Sequence, residues 1–507
     1  MKSKLSKVIG CALVVVMLLG VTACSPNEPE TKKESLIFGV AREPSGLDPH
    51  QLAETIAFNV TCAIYDCLVK DNGSGEYVAH LADSIDISDD GMTYTFTVRN
   101  NVKFSNGTPL TPADVKFSID RTIAKGWAFD MTKYIKNVEV ADDATVVIEL
   151  NAPFNGLLGS LASPYFSIMS KEYVEDVGDD IIKRKPIGTG PFVLSDWVSG
   201  DHLELVANED YFSDKPLLKK VTYKVVSDKS TAVMALEIGE LDLYDDVDVN
   251  DIAMVKENSD LQFQSTAKAG VLSMCLNNEV EPLNDIRVRQ AIAYALNRDD
   301  IITGVYQGYS EAADSPIPPS CEGYSTNVKQ FSRDIEKAKA LLADAGYPDG
   351  LTIVMSIQAP YRAMAEVIQA NLKDVGITLD IDILEPSAFS STVYAEGNYE
   401  VCIRGWIAMF PDAYSMLYCQ YHEDSYGPTG NLSHIRDKEL NKLLDDAAIS
   451  SSTEKVAAYD AVVQHIVDNA YEMPLVISFN NVAARADLKG LSVPPIGIYD
   501  MTKLYFE

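Results

Sequence analysis

At 507 residues the chain exceeds what one hydrophobic core usually serves, and two or three domains are expected. Its 47% hydrophobic and 23% charged residues exclude wholesale disorder. With 42 Lys+Arg against 74 Asp+Glu, the formal charge of −32 repels nucleic acid and anionic lipid at long range, leaving soluble ligands or a cationic partner.

Lys2, Lys4 and Lys7 form a basic region ahead of the apolar run Val8 to Gly20, which is too short to span a bilayer comfortably. Val21-Thr22-Ala23-Cys24 follows and resembles a bacterial lipobox, which makes Cys24 the acylated first residue of the mature protein. An uncleaved anchor with an incidental cysteine is the alternative. Ser25 to Lys33, with two prolines and several charges, reads as a solvated tether.

Leu36 to Val40 is a predicted strand, and Glu43 to Pro49 a turn rich in Pro and Gly. Apolar positions at Ile56, Val60, Ala63, Ile64 and Leu68 predict a helix over 54–69. Met92 to Val98 alternates as a half-buried strand, Asn106-Gly107 is a hairpin turn, and Thr111-Pro112 caps a helix from Ala113. In Pro186 to Phe192 the Gly-Thr-Gly lacks both a full glycine fingerprint and a following helix, so a tight structural turn is expected rather than an anion cradle. Val271 to Leu276 is an apolar run of strand length. Asn284 or Asp285 then caps a helix running from Ile286 to Leu296, with Val288, Ile292, Ala295 and Leu296 on its apolar face. Further on, a helix starting at Ser332, a strand over 351–357, a helix over 364–375 and a strand over 377–384 keep the alternation going. Helices over 438–448 and 456–469 and a strand over 471–479 complete an α/β pattern.

Motifs for catalysis are lacking. The sequence holds no GxSxG, HExxH, CxxC, P-loop or dinucleotide fingerprint, so no enzyme activity and no cofactor is expected. His422 and His434 with Cys419 match no standard metal spacing. Cys62 and Cys67, five apart on the predicted helix, point to different faces. Cys275, Cys321, Cys402 and Cys419 read as small buried hydrophobes, with a disulfide among them left open.

Several blocks, in order along nearly the whole mature chain, carry a resemblance. They are the DSIDISDDGMTYTFTVRNNVKFSNGTPLTPADVKFSIDR segment from Asp83 and the run Leu283-Asn284-Asp285-Ile286-Arg287-Val288-Arg289-Gln290-Ala291. Ala295 to Arg298, Val305 to Gly308 and the stretch Val401 to Leu417 belong with them. The chain is similar to the peptide/nickel class of ABC-transporter solute-binding proteins, the dipeptide- and oligopeptide-binding family. That resemblance implies a two-lobed α/β periplasmic-binding-protein-like fold with an extra subdomain in the first lobe and two hinge crossings near 270 and 475. The implied layout is signal peptide 1–23, tether 24–35, first lobe 36–270 with the subdomain at about 50–180, second lobe 271–474, and a return over 475–507.

The function implied is capture of a short peptide in an interlobe cleft and delivery to an ABC permease with its ATPase. The protein would be a monomer anchored by lipid to the outer face of the cell membrane, with no nucleic-acid partner. A non-peptide ligand (metal chelate, haem or oligosaccharide) and a surface sensor are the alternatives, and an exported hydrolase is disfavoured by the absent motifs. Candidate ligand residues are Arg404, Gly405, Trp406, Met409, Asp412 and Tyr414 in the stretch read as a strand ending at Arg404 plus a loop, together with Arg362 and Thr55. In peptide-binding relatives an aspartate three residues after the tryptophan receives the ligand's amino group, and here that position is Met409. Asp412 is the substitute candidate or, equally, a helix cap.

Overall fold

A computed structural model describes residues 32–52, 54–73, 75–426, 430–451 and 453–507. The leader, Cys24 and most of the tether lie outside the described residues. The molecule is two-lobed, and its frame is one twelve-stranded mixed sheet. At one end Ile377–Ile383, Leu351–Ile357 and Val401–Ile407 run parallel to one another, and Val401–Ile407 pairs antiparallel with Gly270–Leu276. At the other end Ser35–Val40 lies parallel to Lys220–Val225, which continues antiparallel into His202–Ala207 and Phe192–Val198.

The two ends meet on one strand, Glu472–Arg485. Its first half pairs with Gly270–Leu276 and its second with Leu261–Ala267 and Leu243–Tyr244. The short link between Ala267 and Gly270 is the second passage between lobes, tied down by Lys268 N–H donating to Ser478 O at 2.9 Å and Ala269 N–H to Pro495 O at 2.9 Å.

Local chemistry explains most of these elements. Thr93–Val98 alternates half-buried and buried, as its Thr/aromatic pattern requires, in a separate four-stranded antiparallel sheet formed with segments 82–87, 135–140 and 145–150. The helix Pro112–Lys125 starts at a capping box in which Thr111 and Asp114 satisfy each other's backbone amides. Asp285 caps Ile286–Ala295 by accepting from Arg287 N–H, and Val288, Ala291, Ile292 and Ala295 are fully buried in the second lobe's core.

Two expectations change. The helix predicted over 54–69 is Thr55–Ile64, with a strand already begun at Val69. Asp66 draws the chain away because its buried carboxylate is held by His80 Nε2 at 2.8 Å, Thr189 Oγ1 at 2.9 Å and Tyr211 OH at 3.2 Å. Tertiary hydrogen bonds thus override a helical apolar pattern. Cys67 therefore lies beyond the helix that carries Cys62, and both are free thiols. Cys275, Cys321, Cys402 and Cys419 form no disulfide among the described residues, although Cys275 faces Cys402 across the sheet register. The glycine turn behaves as expected: Gly190 N–H donates to Ile64 O at 2.8 Å, and a Cβ on Gly188 would sit 2.1 Å from that oxygen.

One hydrophobic core crosses between lobes. It joins residues of the extra subdomain, such as Phe104, Met131, Phe154 and Leu161, to Phe410, Tyr414, Tyr418, Leu444, Tyr459 and Val463 from the later part of the chain.

Candidate functional site

The strand predicted to end at Arg404 continues to Ile407, so Gly405 and Trp406 are strand residues, opposite Leu272 and Val271. A cavity of about 290 Å³ opens beside them, lined by Lys268, Gln358, Tyr361, Arg404, Gly405, Trp406 and Ser478 among others. It lies where Lys268 and Ser478, one on each passage between the lobes, meet the edge of the second lobe.

Arg404 is buried and committed. Nη1 donates to Gly430 O at 2.7 Å, Nη2 donates to Gln420 Oε1 at 2.7 Å, and Glu472 Oε2 lies 3.8 Å from Nη2. Its guanidinium stands 5.3 Å from the centre of the Trp406 ring, and Trp406 Nε1 donates to Ser415 O at 3.0 Å. Cation and hydrogen bond together fix the indole as one wall of the cavity. Gly405 is exposed, which leaves backbone open to the space.

Lys268 is different. It lines the cavity, yet among the described residues its ammonium makes no hydrogen bond or ion pair. Burial pulls its pKa down, while the carboxylates of Asp246 and Asp245, farther off, pull it back up. Asp245 itself is pushed up to about 7, chiefly by burial and then by its neighbour Asp246.

The rest of the stretch faces elsewhere. Phe410 packs so closely on the extra subdomain that a Cβ on Gly159 would meet its ring at 2.7 Å. Tyr414 is 2% exposed, donates its hydroxyl to Asp130 O at 2.6 Å, and meets Phe154 with centroids 4.8 Å apart. Stacking continues from Tyr414 to Tyr418 at 5.1 Å and from Tyr418 to His422 at 4.5 Å. Lys133 of the subdomain reaches across to the Tyr418 hydroxyl and lies 3.4 Å from Asp445.

Of the residues singled out from sequence, then, Arg404, Gly405 and Trp406 are brought together around the cavity, and the others are not among its lining residues. Asp412 is buried; it caps Ala413–Tyr421 by accepting from Tyr414 N–H at 2.7 Å and pairs with Lys455, which also holds Glu322 at 2.9 Å. Burial raises the Asp412 pKa and Lys455 opposes that rise. Met409 is half-buried against the interlobe core, with its N–H on Ser415 Oγ at 2.9 Å. Arg362 is exposed and no closer than 4.0 Å to Glu366, although its neighbour Tyr361 lines the cavity. Thr55 is exposed at the start of its helix. Sequence reading missed Lys268, Gln358, Tyr361 and Ser478. The one signal for Lys268 was a single charge directly before the apolar run at a lobe crossing.

Comparison with known proteins decides the family. The family model described as bacterial extracellular solute-binding proteins, family 5 Middle, matches residues 76–428. The chain belongs to this family. It is 29% identical over 478 residues to the probable D,D-dipeptide-binding periplasmic protein DdpA of Escherichia coli, covering 92% of each chain. It is 30% identical over 513 residues to heme-binding protein A of Haemophilus influenzae, covering 94% of this chain and 93% of the relative. Among solved structures, the ABC transporter-associated periplasmic binding protein DppA of Helicobacter pylori, in complex with the peptide STSA, superposes with a TM-score of 0.87 at 29% identity, covering 94% of this chain and 98% of that one. These relatives are named for solutes they bind, which fits a chain without catalytic motifs. Among the described residues no helix is long and apolar enough to cross a membrane, and no group of three His, Cys, Asp or Glu is placed to hold a metal ion.

Proposed function

We propose that this family 5 solute-binding protein captures a short peptide between its lobes and delivers it to an ABC import permease. In this reading Gly405 supplies backbone contacts, Trp406 a wall, and Arg404 the fixed orientation of that wall, with Thr55 and Arg362 entering from either lobe. The observation that carries it is the cavity, placed where both lobe crossings meet strand Val401–Ile407, in a fold that superposes on a peptide complex. Its volume of about 290 Å³ lies at the small end for ligand pockets and favours a dipeptide-sized occupant over a long chain. Ligand would bind the closed arrangement of the lobes better than an open one, and that difference drives closure about the two crossings.

Met409 supports a second reading. Without a carboxylate at that position, a free amino terminus has no partner of the family's usual kind, so a non-peptide solute enters consideration. Native mass spectrometry of protein purified without unfolding separates the two. A ladder of bound masses that fragments into amino acids supports the peptide, while a single non-peptide mass replaces it. The proposal also places the mature protein outside the cell, held by acyl chains on Cys24. Cys24→Ala should then move it from the membrane fraction to the medium or periplasm, and unchanged membrane association would refute the anchor.

A further inference from the structure

The cavity has a charge character opposite to that of the whole chain. The protein carries a formal charge of −32, yet the residues lining the cavity include Lys268 and Arg404 and no aspartate or glutamate. Arg404 is spent on Gly430, Gln420 and Glu472 and on the Trp406 ring. Lys268 has no such partner among the described residues. An ammonium held partly out of water without a direct ion-pair partner is costly, and a negative group brought into contact with it relieves that cost.

Resting on the peptide reading above, we infer that Lys268 anchors a carboxylate of the ligand, so that the protein selects solutes by an acidic end rather than by a free amine. Three placements support this. The Lys268 backbone is fixed by its N–H on Ser478 O, which pins the side chain's origin at the crossing. Asp246 and Asp245, both beyond ion-pair distance, favour the charged ammonium, while burial, the larger influence, and Lys229 oppose it. The position at which the family resemblance implies an aspartate for an amino group is Met409, half-buried against apolar neighbours instead. A ligand carboxylate on Lys268 would lie beside Ser478 and the open backbone at Gly405, both of which line the same space.

The test uses the mature chain and a mixed pool of dipeptides in three forms: free acid, C-terminal amide and N-acetylated acid. Binding is read by calorimetry for wild type, Lys268→Gln and Lys268→Arg. A charge-assisted contact predicts that acids bind about 10- to 150-fold tighter than amides, with acetylation of the amine costing far less. Lys268→Gln should abolish the acid preference and Lys268→Arg should retain most of it, at melting temperatures that confirm both variants are folded. Equal binding of acids and amides by wild type, or a preference that survives in Lys268→Gln, overturns the inference while leaving the protein a peptide binder. If no dipeptide form binds, the peptide reading fails and a pool of sugar acids against their methyl esters decides the carboxylate. Acid-only binding lost in Lys268→Gln sustains the anchor, and binding of esters alone or of neither form overturns it.

Discussion

Strand Val401–Ile407 and helix Ala413–Tyr421 are a few residues apart, yet they meet different worlds. The strand faces a small cavity with an ammonium that makes no ion pair among the described residues, an exposed glycine and an indole held by a hydrogen bond. The helix faces the extra subdomain through a dry run of aromatic rings, Phe154, Tyr414 and Tyr418, whose hydroxyls and edges are satisfied across the boundary. The first surface leaves open space. The second is complete by itself. One continuous stretch therefore carries two kinds of surface: the strand borders an open cavity, and the helix packs across the boundary between the lobes. In the closing motion proposed above, the apolar area buried by this aromatic contact would stabilise the closed arrangement on its own, and the ligand would supply only the remainder.

The comparison breaks most sharply by truncating the aromatic side. Phe410→Ala and Tyr414→Ala should each destabilise the protein by about 3–5 kcal/mol in denaturant unfolding, as deletion of a buried ring usually does. Trp406→Ala should lower ligand affinity with a change in melting temperature much smaller than theirs. A Trp406 loss as large as that of Tyr414 would place the indole on the clamping side of the division. Gly159→Ala comes next. Its new methyl would meet Phe410 at 2.7 Å and the Tyr77 hydroxyl at 3.0 Å, so the lobes must separate slightly or the ring must shift. Overpacking of this kind costs about 1–3 kcal/mol. Small-angle scattering should show a larger radius of gyration, with ligand affinity reduced; an unchanged radius and affinity would mean that the contact does not govern closure.

How far this division could be read beforehand depends on the range of the contacts involved. The strand and helix around 270–296 follow from local signals, an apolar run, an Asp285 cap and a helical apolar face, and they stand where expected. Arg404, Gly405 and Trp406 were legible through the resemblance of their stretch to a family segment. Asp412 was legible only as a pair of alternatives, and its cap and its Lys455 partner are what the fold displays. Lys268 was not legible, because its surroundings are assembled from Ser478, Gln358 and Trp406, residues far away in sequence. Nor was the reach of Tyr414 to Asp130 and Phe154, for the same reason.

The smallest effect concerns the carboxylates behind the cavity. Asp245 is pushed up to about 7 by burial. A carboxyl group whose folded pKa lies above its unfolded value binds its proton more tightly when folded, so its contribution to stability falls as pH rises from about 4 to about 7 and stays low above that. Asp245→Asn should therefore raise the melting temperature by a few degrees at pH 8 and leave it nearly unchanged at pH 4. An equal effect at both values would show that Asp245 is not held protonated by its surroundings.

The strand Glu472–Arg485 also has a meaning in time. It pairs with Leu261–Ala267 and Gly270–Leu276 alike, and so forms the seam of both lobes. During synthesis it leaves the ribosome only after every strand with which it pairs. Until then each lobe has an open sheet edge, and the pairings that close those edges join residues some two hundred positions apart, the kind of contact that forms slowly. A topology that withholds its seam until all its partners have been made leaves both halves of the sheet unfinished for most of synthesis.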